Sequence, residues 1–317
     1  MRVGVHTGTY HSDDVTGVVL LRYVLAFRDF ELVRTFDLAV LSTCDLVFDI
    51  GCVYDHSRKR YDHHQRGFNE TFSPAQTVKL CGCGLLFKHY GNEIVKNVLS
   101  TEFMITATDS EIESIKNNVY DTFLKAIDAN DNGVDVSNGE LLYRDTTTLT
   151  ARIKRYNTIG KSFEDAVALA QPEFLAAVYD SYQIVHNKLP IVRTAFTHRF
   201  EINPSGNVIY ITDERDFTDA IQMLENEERN AGNHVSLLYV IQKDSKRGEQ
   251  WRATALPKQY SYIPQKCFPE AWRGLRDETL SSVSHIAGCV FCHASGFLAC
   301  NKTFEGIIQM VQASLIN

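Results

Sequence analysis

A chain of 317 residues is too long for one small core and long enough for two domains. Hydrophobic residues make up 44% and charged residues 22%, a globular composition that excludes a disordered chain. The formal net charge of −7 argues against a protein that coats nucleic acid non-specifically, because such binding needs many Lys and Arg against the phosphates.

No apolar run approaches the roughly 20 residues of a membrane span, so no membrane partner is expected. Met1 to His6 enters a core strand at once, which leaves no room for a signal or transit peptide and sets the expectation of a cytoplasmic or nucleocytoplasmic protein. The eight cysteines, scattered from Cys44 to Cys300 and mostly in apolar surroundings, read as reduced, buried thiols.

Arg2 to His6 reads as the first strand. Asp14 to Ala26 follows as a helix, with Val15, Val18, Val19, Arg22 and Leu25 at helical spacing. Glu31 to Thr35 is a second strand, and Asp45 to Ile50 is a short continuous apolar run typical of a strand buried on both faces. Ser73-Pro74 predicts a helix start, with the helix running to Tyr90 and stopped by Gly91. Strands alternating with helices imply a parallel α/β sheet, and ligands gather at the C-terminal ends of such strands. A long helix is predicted over Ser110 to Ala129, with Ile112, Ile115, Val119, Phe123 and Ile127 on one stripe. A helical region from Phe163 to Phe200 follows.

Beyond the turn at Asn203 to Gly206 come strands at Asn207 to Ile211, Val235 to Gln242 and Gln250 to Leu256, with a charged helix near Asp216 to Arg229. An apolar strand over Cys289 to His293 and a helix over Thr303 to Leu315 close the chain. The expected architecture is a parallel-sheet α/β N-terminal domain over residues 1–190 and a smaller α/β C-terminal domain over residues 191–317.

Four segments carry metal-ligand residue types to the expected sheet edge. His6, His11, Asp13 and Asp14 lie in the loop between the first strand and first helix, where a carboxylate also serves as a helix cap. Asp49 closes the buried strand, and a carboxylate there is costly unless paired. Asp62-His63-His64 follows the basic loop His56 to Arg60, and neighbours on an extended segment point to opposite sides, so the two histidines can do different jobs. Asp131 continues the stripe of the long helix, whereas Asp128 falls on another face and is suited to the turn. Each segment has a plainer reading as a cap, a turn or a surface cluster. If Asp13, Asp49, Asp62 and Asp131 converge, however, their repulsion opposes folding, and divalent cations remove the conflict. Mixed His and Asp donors favour Mn²⁺, with Mg²⁺ as the alternative, and a set this large suits two cations bridged by a carboxylate. Phosphoester hydrolysis makes the best use of such a pair.

Together these segments resemble the motifs of the DHH phosphoesterase superfamily, and more closely its Myg (melanocyte proliferating gene) branch. His6 to Asp13 resembles that branch's opening motif with Tyr10 in place of Phe, and Tyr61 to Arg66, Asp128 to Gly133, Thr147 to Arg152, Trp272 to Glu278 and His293 to Phe297 are also similar. The resemblance implies a DHH-type N-terminal domain with His6, His11, Asp13, Asp49, His63 and Asp131 as metal ligands and Asp49 as the bridge. It implies that His64 contacts the scissile phosphate, that Asp62 orients a neighbouring histidine, and that the activity is a 3′-to-5′ RNA exonuclease.

There are departures. His11 stands where the superfamily has aspartate, and Leu298-Ala299-Cys300-Asn301-Lys302 replaces a Gly-Gly pair with its basic residue. Substrate contacts are expected from Trp272 with Arg273 and Arg276, as a stacking plane with cations, and from Arg152 and Lys302; a core Trp272 with surface arginines is the plainer alternative. The partner is then RNA or a short oligonucleotide. A pyrophosphatase or small-nucleotide phosphatase, or a non-catalytic metal- or nucleotide-binding regulator, are the competing functions. Cys289-Val290-Phe291-Cys292-His293 spells a haem-attachment pattern, but in a strand its cysteines point to opposite faces, so both it and Cys81-x-Cys83 read as buried thiols.

Overall fold

The computed structural model describes residues 1–259 and 261–316. The chain divides into two units, Met1–Gln183 and a second from Ile184 onward. The first is an α/β unit on five short strands: β1 (Arg2–Val5), β2 (Glu31–Arg34), β3 (Leu46–Phe48), β4 (Tyr54–Asp55) and β5 (Arg60–Tyr61). Their order is β2-β1-β3-β5-β4, with β1 parallel to both β2 and β3, β3 parallel to β5, and only β4 antiparallel. β3 is buried on both faces, as an apolar run inside a parallel sheet requires.

Seven helices complete this unit: α1 (Ser12–Leu21), α2 (Leu38–Ser42), α3 (Gly82–Glu102), α4 (Asp109–Val119), α5 (Lys125–Asp131), α6 (Leu149–Thr158) and α7 (Phe163–Tyr182). α1 packs against α3 and α7 and is buried along its whole length, which is why it reads as apolar all round rather than as one stripe.

The helix expected from Ser73 to Tyr90 is displaced. Ser73-Pro74 forms a turn closed by Gln76 N–H donating to Ser73 O at 3.0 Å, and the helix begins at Gly82. Its starting cap comes from a distant residue: Cys81 N–H donates to Asp128 Oδ1 at 2.9 Å. Gly91 does not stop α3 but lies inside it, because a Cβ there would sit 2.8 Å from Lys116 Cδ of α4. The helix pair needs that missing side chain. The long helix predicted over Ser110 to Ala129 is also interrupted, by a π-helical stretch at Tyr120–Leu124. The extra residue per turn moves the stripe from Phe123 to Leu124 and turns both Ile127 and Asp128 inward.

The hairpin β4–β5 was not anticipated from the basic loop. Asp55 Oδ1 accepts Ser57 N–H at 3.0 Å and Lys59 takes a left-handed φ of 54°, which folds His56 to Arg60 into a tight turn. Against this hairpin His89 stacks on His56 with centroids 3.8 Å apart, holds the Tyr54 hydroxyl at 2.8 Å from Nε2, and lies beside the Tyr61 ring. Burial, then His56 and Lys88, push its pKa down to about 4 against the opposing pull of Glu70. A histidine so depressed is neutral in the fold. The stability it lends is complete above the ordinary 6.5 and is lost as pH falls through about 4. Its partial exposure reduces the effect to about 1–2 kcal/mol. Urea midpoints followed from pH 7 to pH 4 should drop more steeply for the wild type than for His89→Phe, and identical slopes would rule this out.

The second unit is a smaller α/β layer with strands β6 (Val208–Tyr210), β7 (Tyr239–Asp244), β8 (Gln250–Ala255), β9 (Cys289–Cys292) and β10 (Leu298–Asn301) in the order β6-β7-β8-β10-β9. Only β6 and β7 are parallel. Its helices are α8 (Leu189–Thr197), α9 (Arg199–Ile202), α10 (Thr218–Asn230), α11 (Asp277–Ser284) and α12 (Phe304–Ile316). The period-two alternation of β7 serves two cores. Tyr239 and Ile241 pack with Leu280 of α11 and Ile307 and Met310 of α12, and Val240 packs with residues of α8 and α10.

Cys289 and Cys292 do not point to opposite faces: both pack in the same core, because a register shift in the β9–β10 pairing skips Val290. All eight cysteines are free thiols; Cys52 is exposed and Cys267 half-buried, and the others are buried as expected. Among the described residues no helix is long and apolar enough to cross a membrane.

Candidate metal centre

The C-terminal ends of β1, β3 and β5 lead directly into His6, Asp49 and Asp62-His63-His64. This is the edge where a parallel sheet offers loops and helix starts to a ligand. α1 begins there with Asp13 and Asp14, and α5 ends there with Asp131.

The side chains converge. His6 Nε2 lies 3.2 Å from Asp14 Oδ2 and 3.4 Å from Asp49 Oδ2. His63 Nε2 lies 3.4 Å from Asp49 Oδ1 and 3.1 Å from Asp131 Oδ2. Asp49 thus stands between the two histidines, one oxygen toward each. Ligand atoms of His11, Asp13 and Asp131 fall within 4.8 Å of one another, as do those of Asp49, Asp62, His63 and His64. These are two neighbouring ligand groups, joined by the contacts of His63 with Asp49 and Asp131.

Asp49 has φ +57°, a left-handed conformation that costs a non-glycine residue energy. Its N–H donates to Tyr61 O at 3.0 Å, which holds the strained loop to the end of β5. Asp62 is spent on protein donors: Oδ1 accepts the His63 and His64 backbone N–H groups and lies 2.6 Å from His64 Nδ1, and Oδ2 accepts Cys52 N–H. It therefore braces the turn and fixes His64, whose ring is 57% exposed. Asp62→Asn keeps the shape but removes the negative charge that holds the ring, and its amide nitrogen takes the place of one acceptor oxygen. Turnover is expected to fall about 10–100-fold, in line with other residues that orient a site, with KM for substrate altered through His64. Unchanged turnover in steady-state assays would show that His64 needs no such brace.

The electrostatics of the centre follow from burial. Asp13 is fully buried, and burial, reinforced by Asp49 and Asp131, pushes its carboxyl well above the usual range. Asp14, then Asp49, raise His6 to about 10 against its burial. Burial works to lower His63, but Asp131 and Asp49 prevail and lift it to about 10 as well. Burial likewise works to raise Asp49, yet His6 and His63 hold it below the ordinary carboxylate range. By themselves the residues balance their charges with imidazolium ions where cations would serve.

Two observations fit divalent cations. Both oxygens of Asp13 are buried with no hydrogen-bond partner. Each such orphan costs roughly 1–3 kcal/mol in a dry interior. His6 Nδ1 donates to the Thr7 carbonyl at 3.0 Å, so a neutral His6 carries its lone pair on Nε2, facing two carboxylate oxygens. A lone pair aimed at carboxylates is repulsive unless a cation lies between them.

Asp14 stands among the ligand types of the first segment but outside the ligand set that the resemblance implies; it accepts His11 N–H at 2.8 Å through Oδ1, and its second oxygen joins the centre. Asp128, assigned to a turn, is fully buried beside Cys81 and Tyr120. Neither role has a sequence signal, since both depend on which helix face a π turn or a neighbouring strand presents.

The expected substrate residues have partners of their own. Arg152 is paired with Glu173 at 2.7 Å on the α6–α7 surface. In the second unit Arg273 Nε donates to Phe268 O at 3.0 Å, Arg276 lies over the Phe291 ring at 4.4 Å, and Lys302 is exposed. Trp272 is 5% exposed and packs with Phe268 in the core, so it offers no stacking plane. Asn301, in the altered segment, is structural: it accepts Thr303 N–H at the start of α12 and donates to Ala287 O.

Fold and site together define an α/β protein of two units with a histidine–carboxylate centre at the ends of its parallel strands. The chain belongs to the Myg family, described as Uncharacterised protein family (UPF0160), which it matches over residues 2–315. It is 38% identical to the MYG1 exonuclease of Homo sapiens over 99% of this chain and 85% of that protein. It is 37% identical to the MYG1 exonuclease of Rattus norvegicus over 99% and 84%. It is 32% identical to the MYG1 protein of Dictyostelium discoideum over 99% and 96%. No solved structure matches the chain.

Proposed function

We propose that this chain is a 3′-to-5′ exonuclease acting on RNA, dependent on two divalent cations of which Mn²⁺ is the native one. Membership of the family, with relatives named exonucleases, makes it a hydrolase of phosphoester bonds. The observation that carries the metal dependence is the convergence of His6, His11, Asp13, Asp49, His63 and Asp131, with both buried oxygens of Asp13 left without a hydrogen bond.

In this reading His11, Asp13 and Asp131 would hold one cation and His6 and His63 would help hold the other, with Asp49, one oxygen toward each of His6 and His63, available to both. Bound there, the pair supplies Lewis acidity to the attacking water and to a phosphoryl oxygen. The chain's own residues do the rest. In its imidazolium form His64 donates Nδ1–H to Asp62 and turns Nε2–H to solvent, where it can donate to a non-bridging phosphate oxygen. The carboxylates around the site repel a phosphate that arrives without cations, which ties substrate binding to metal binding. Arg273 and Arg276, which lie in the motif stretch Trp272 to Glu278, are the cations assigned to the RNA backbone.

Incubation with a 5′-labelled oligoribonucleotide and Mn²⁺ tests the reading. Progressive shortening from the 3′ end is expected, with little or no turnover of pyrophosphate. Cleavage of pyrophosphate or dinucleotides alone would replace the RNA assignment with a small-nucleotide phosphatase. Full activity in the presence of a chelator would remove the cations.

A further inference from the structure

A second group of metal-ligating atoms sits where α3 begins, apart from the centre described above. Cys81 and Cys83 place their sulfurs 3.5 Å apart, and an oxygen of Asp128 completes a set in which all three atoms lie within 4.8 Å of one another. All three side chains are sealed from solvent. Asp128 Oδ1 accepts the Cys81 N–H, and the Tyr120 hydroxyl and the Cys81 thiol lie beside the same carboxyl.

The backbone suits chelation. Cys81 is the extended residue before the helix (φ −94°, ψ −171°) and Cys83 lies in its first turn, so residues two apart direct both sulfurs to one point. Two thiolates at about 2.3 Å from one tetrahedral ion stand about 3.8 Å apart, close to the separation found here. The cysteine pair alone reads as buried thiols. Asp128, brought in by the π turn before α5, supplies the third donor.

We propose that Cys81, Cys83 and Asp128 bind one thiophilic cation of the Zn²⁺ class. Two sulfurs and one carboxylate select such an ion over Mg²⁺ or Ca²⁺, which take oxygen donors, and its binding releases the two thiol protons to solvent. The site holds α3 to α5 with donors distinct from those of the neighbouring histidine–carboxylate centre.

Cobalt distinguishes the two sites, because only thiolate ligation gives an intense near-ultraviolet sulfur-to-cobalt charge-transfer band. The full chain produced in Co²⁺-supplemented medium is expected to show that band at about one thiolate-bound cobalt per chain. Zn²⁺ should displace it. Cys81→Ser/Cys83→Ser should abolish the band while cobalt in the other centre remains. Absence of the band from folded wild-type protein, or its survival in the double variant, overturns the proposal. If the double variant does not fold, Cys83→Ala gives the same readout. Zinc-edge X-ray absorption of the wild type should also show sulfur neighbours at about 2.3 Å. A shell of nitrogen and oxygen alone overturns the proposal equally.

Discussion

Replacing Asp49 is expected to lower phosphodiesterase turnover by about a thousandfold or more, with no loss of secondary structure. Its two oxygens face the two buried histidines, so no other residue can take its place between them. The choice of substitution matters, because Asp49 sits at φ +57°. Alanine there adds backbone strain of about 1–2 kcal/mol, whereas asparagine tolerates the conformation and keeps the shape. Asp49→Asn therefore separates lost charge from lost fold. The same variant should respond less to metal. If the proposed cations bind, wild-type protein should gain about 2.7 kcal/mol per site when Mn²⁺ stands at a hundredfold excess over its Kd. Thermal melts with and without Mn²⁺ should show most of that gain gone in Asp49→Asn. Wild-type turnover, or an undiminished Mn²⁺ shift, would remove Asp49 from its assigned place.

How legible this centre was depends on the kind of information each residue needed. His6, Asp49 and the Asp62-His63-His64 run each follow a short strand of a parallel sheet, and that pattern is local: apolar run, then polar stop. The rule that ligands gather at strand ends then brings them together without any knowledge of contacts. The helix positions were harder. Asp131 continued the stripe of Ile112, Ile115 and Ile127 well enough, but Asp128 was misplaced because a π turn at Tyr120–Leu124 rotates everything after it. Nothing in Tyr-Asp-Thr-Phe-Leu announces that turn. The start of α3 failed for a related reason. Ser73-Pro74 carries every local mark of a helix start, yet the cap that works is Asp128, 47 residues from Cys81. Trp272 failed on burial, since an aromatic beside two arginines reads alike in a core and on a binding face.

Gly82→Ala is expected to damage both stability and turnover although the residue carries no functional group. Gly82 is the first residue of α3, and a Cβ added there would lie 2.8 Å from Asp49 Cβ and 3.3 Å from the Asp49 backbone N and Cα. The obstacle is backbone rather than a flexible side-chain tip, so it cannot swing away. α3 cannot retreat easily either, because its start is pinned by Asp128 and its interior Gly91 packs on Lys116. The strain falls on the Asp49 loop, already in an unfavourable conformation. Overpacking of this kind costs about 1–3 kcal/mol in stability. A shift of about 1 Å in the bridging carboxylate is sufficient to lower turnover by about a hundredfold. Both effects should appear together, in a urea melt and in an oligoribonucleotide assay on the same preparation. The loss should resist added Mn²⁺, since every ligand is still present and only its position has changed. Turnover restored by excess Mn²⁺ would place the damage in metal affinity and leave the geometry of Asp49 intact.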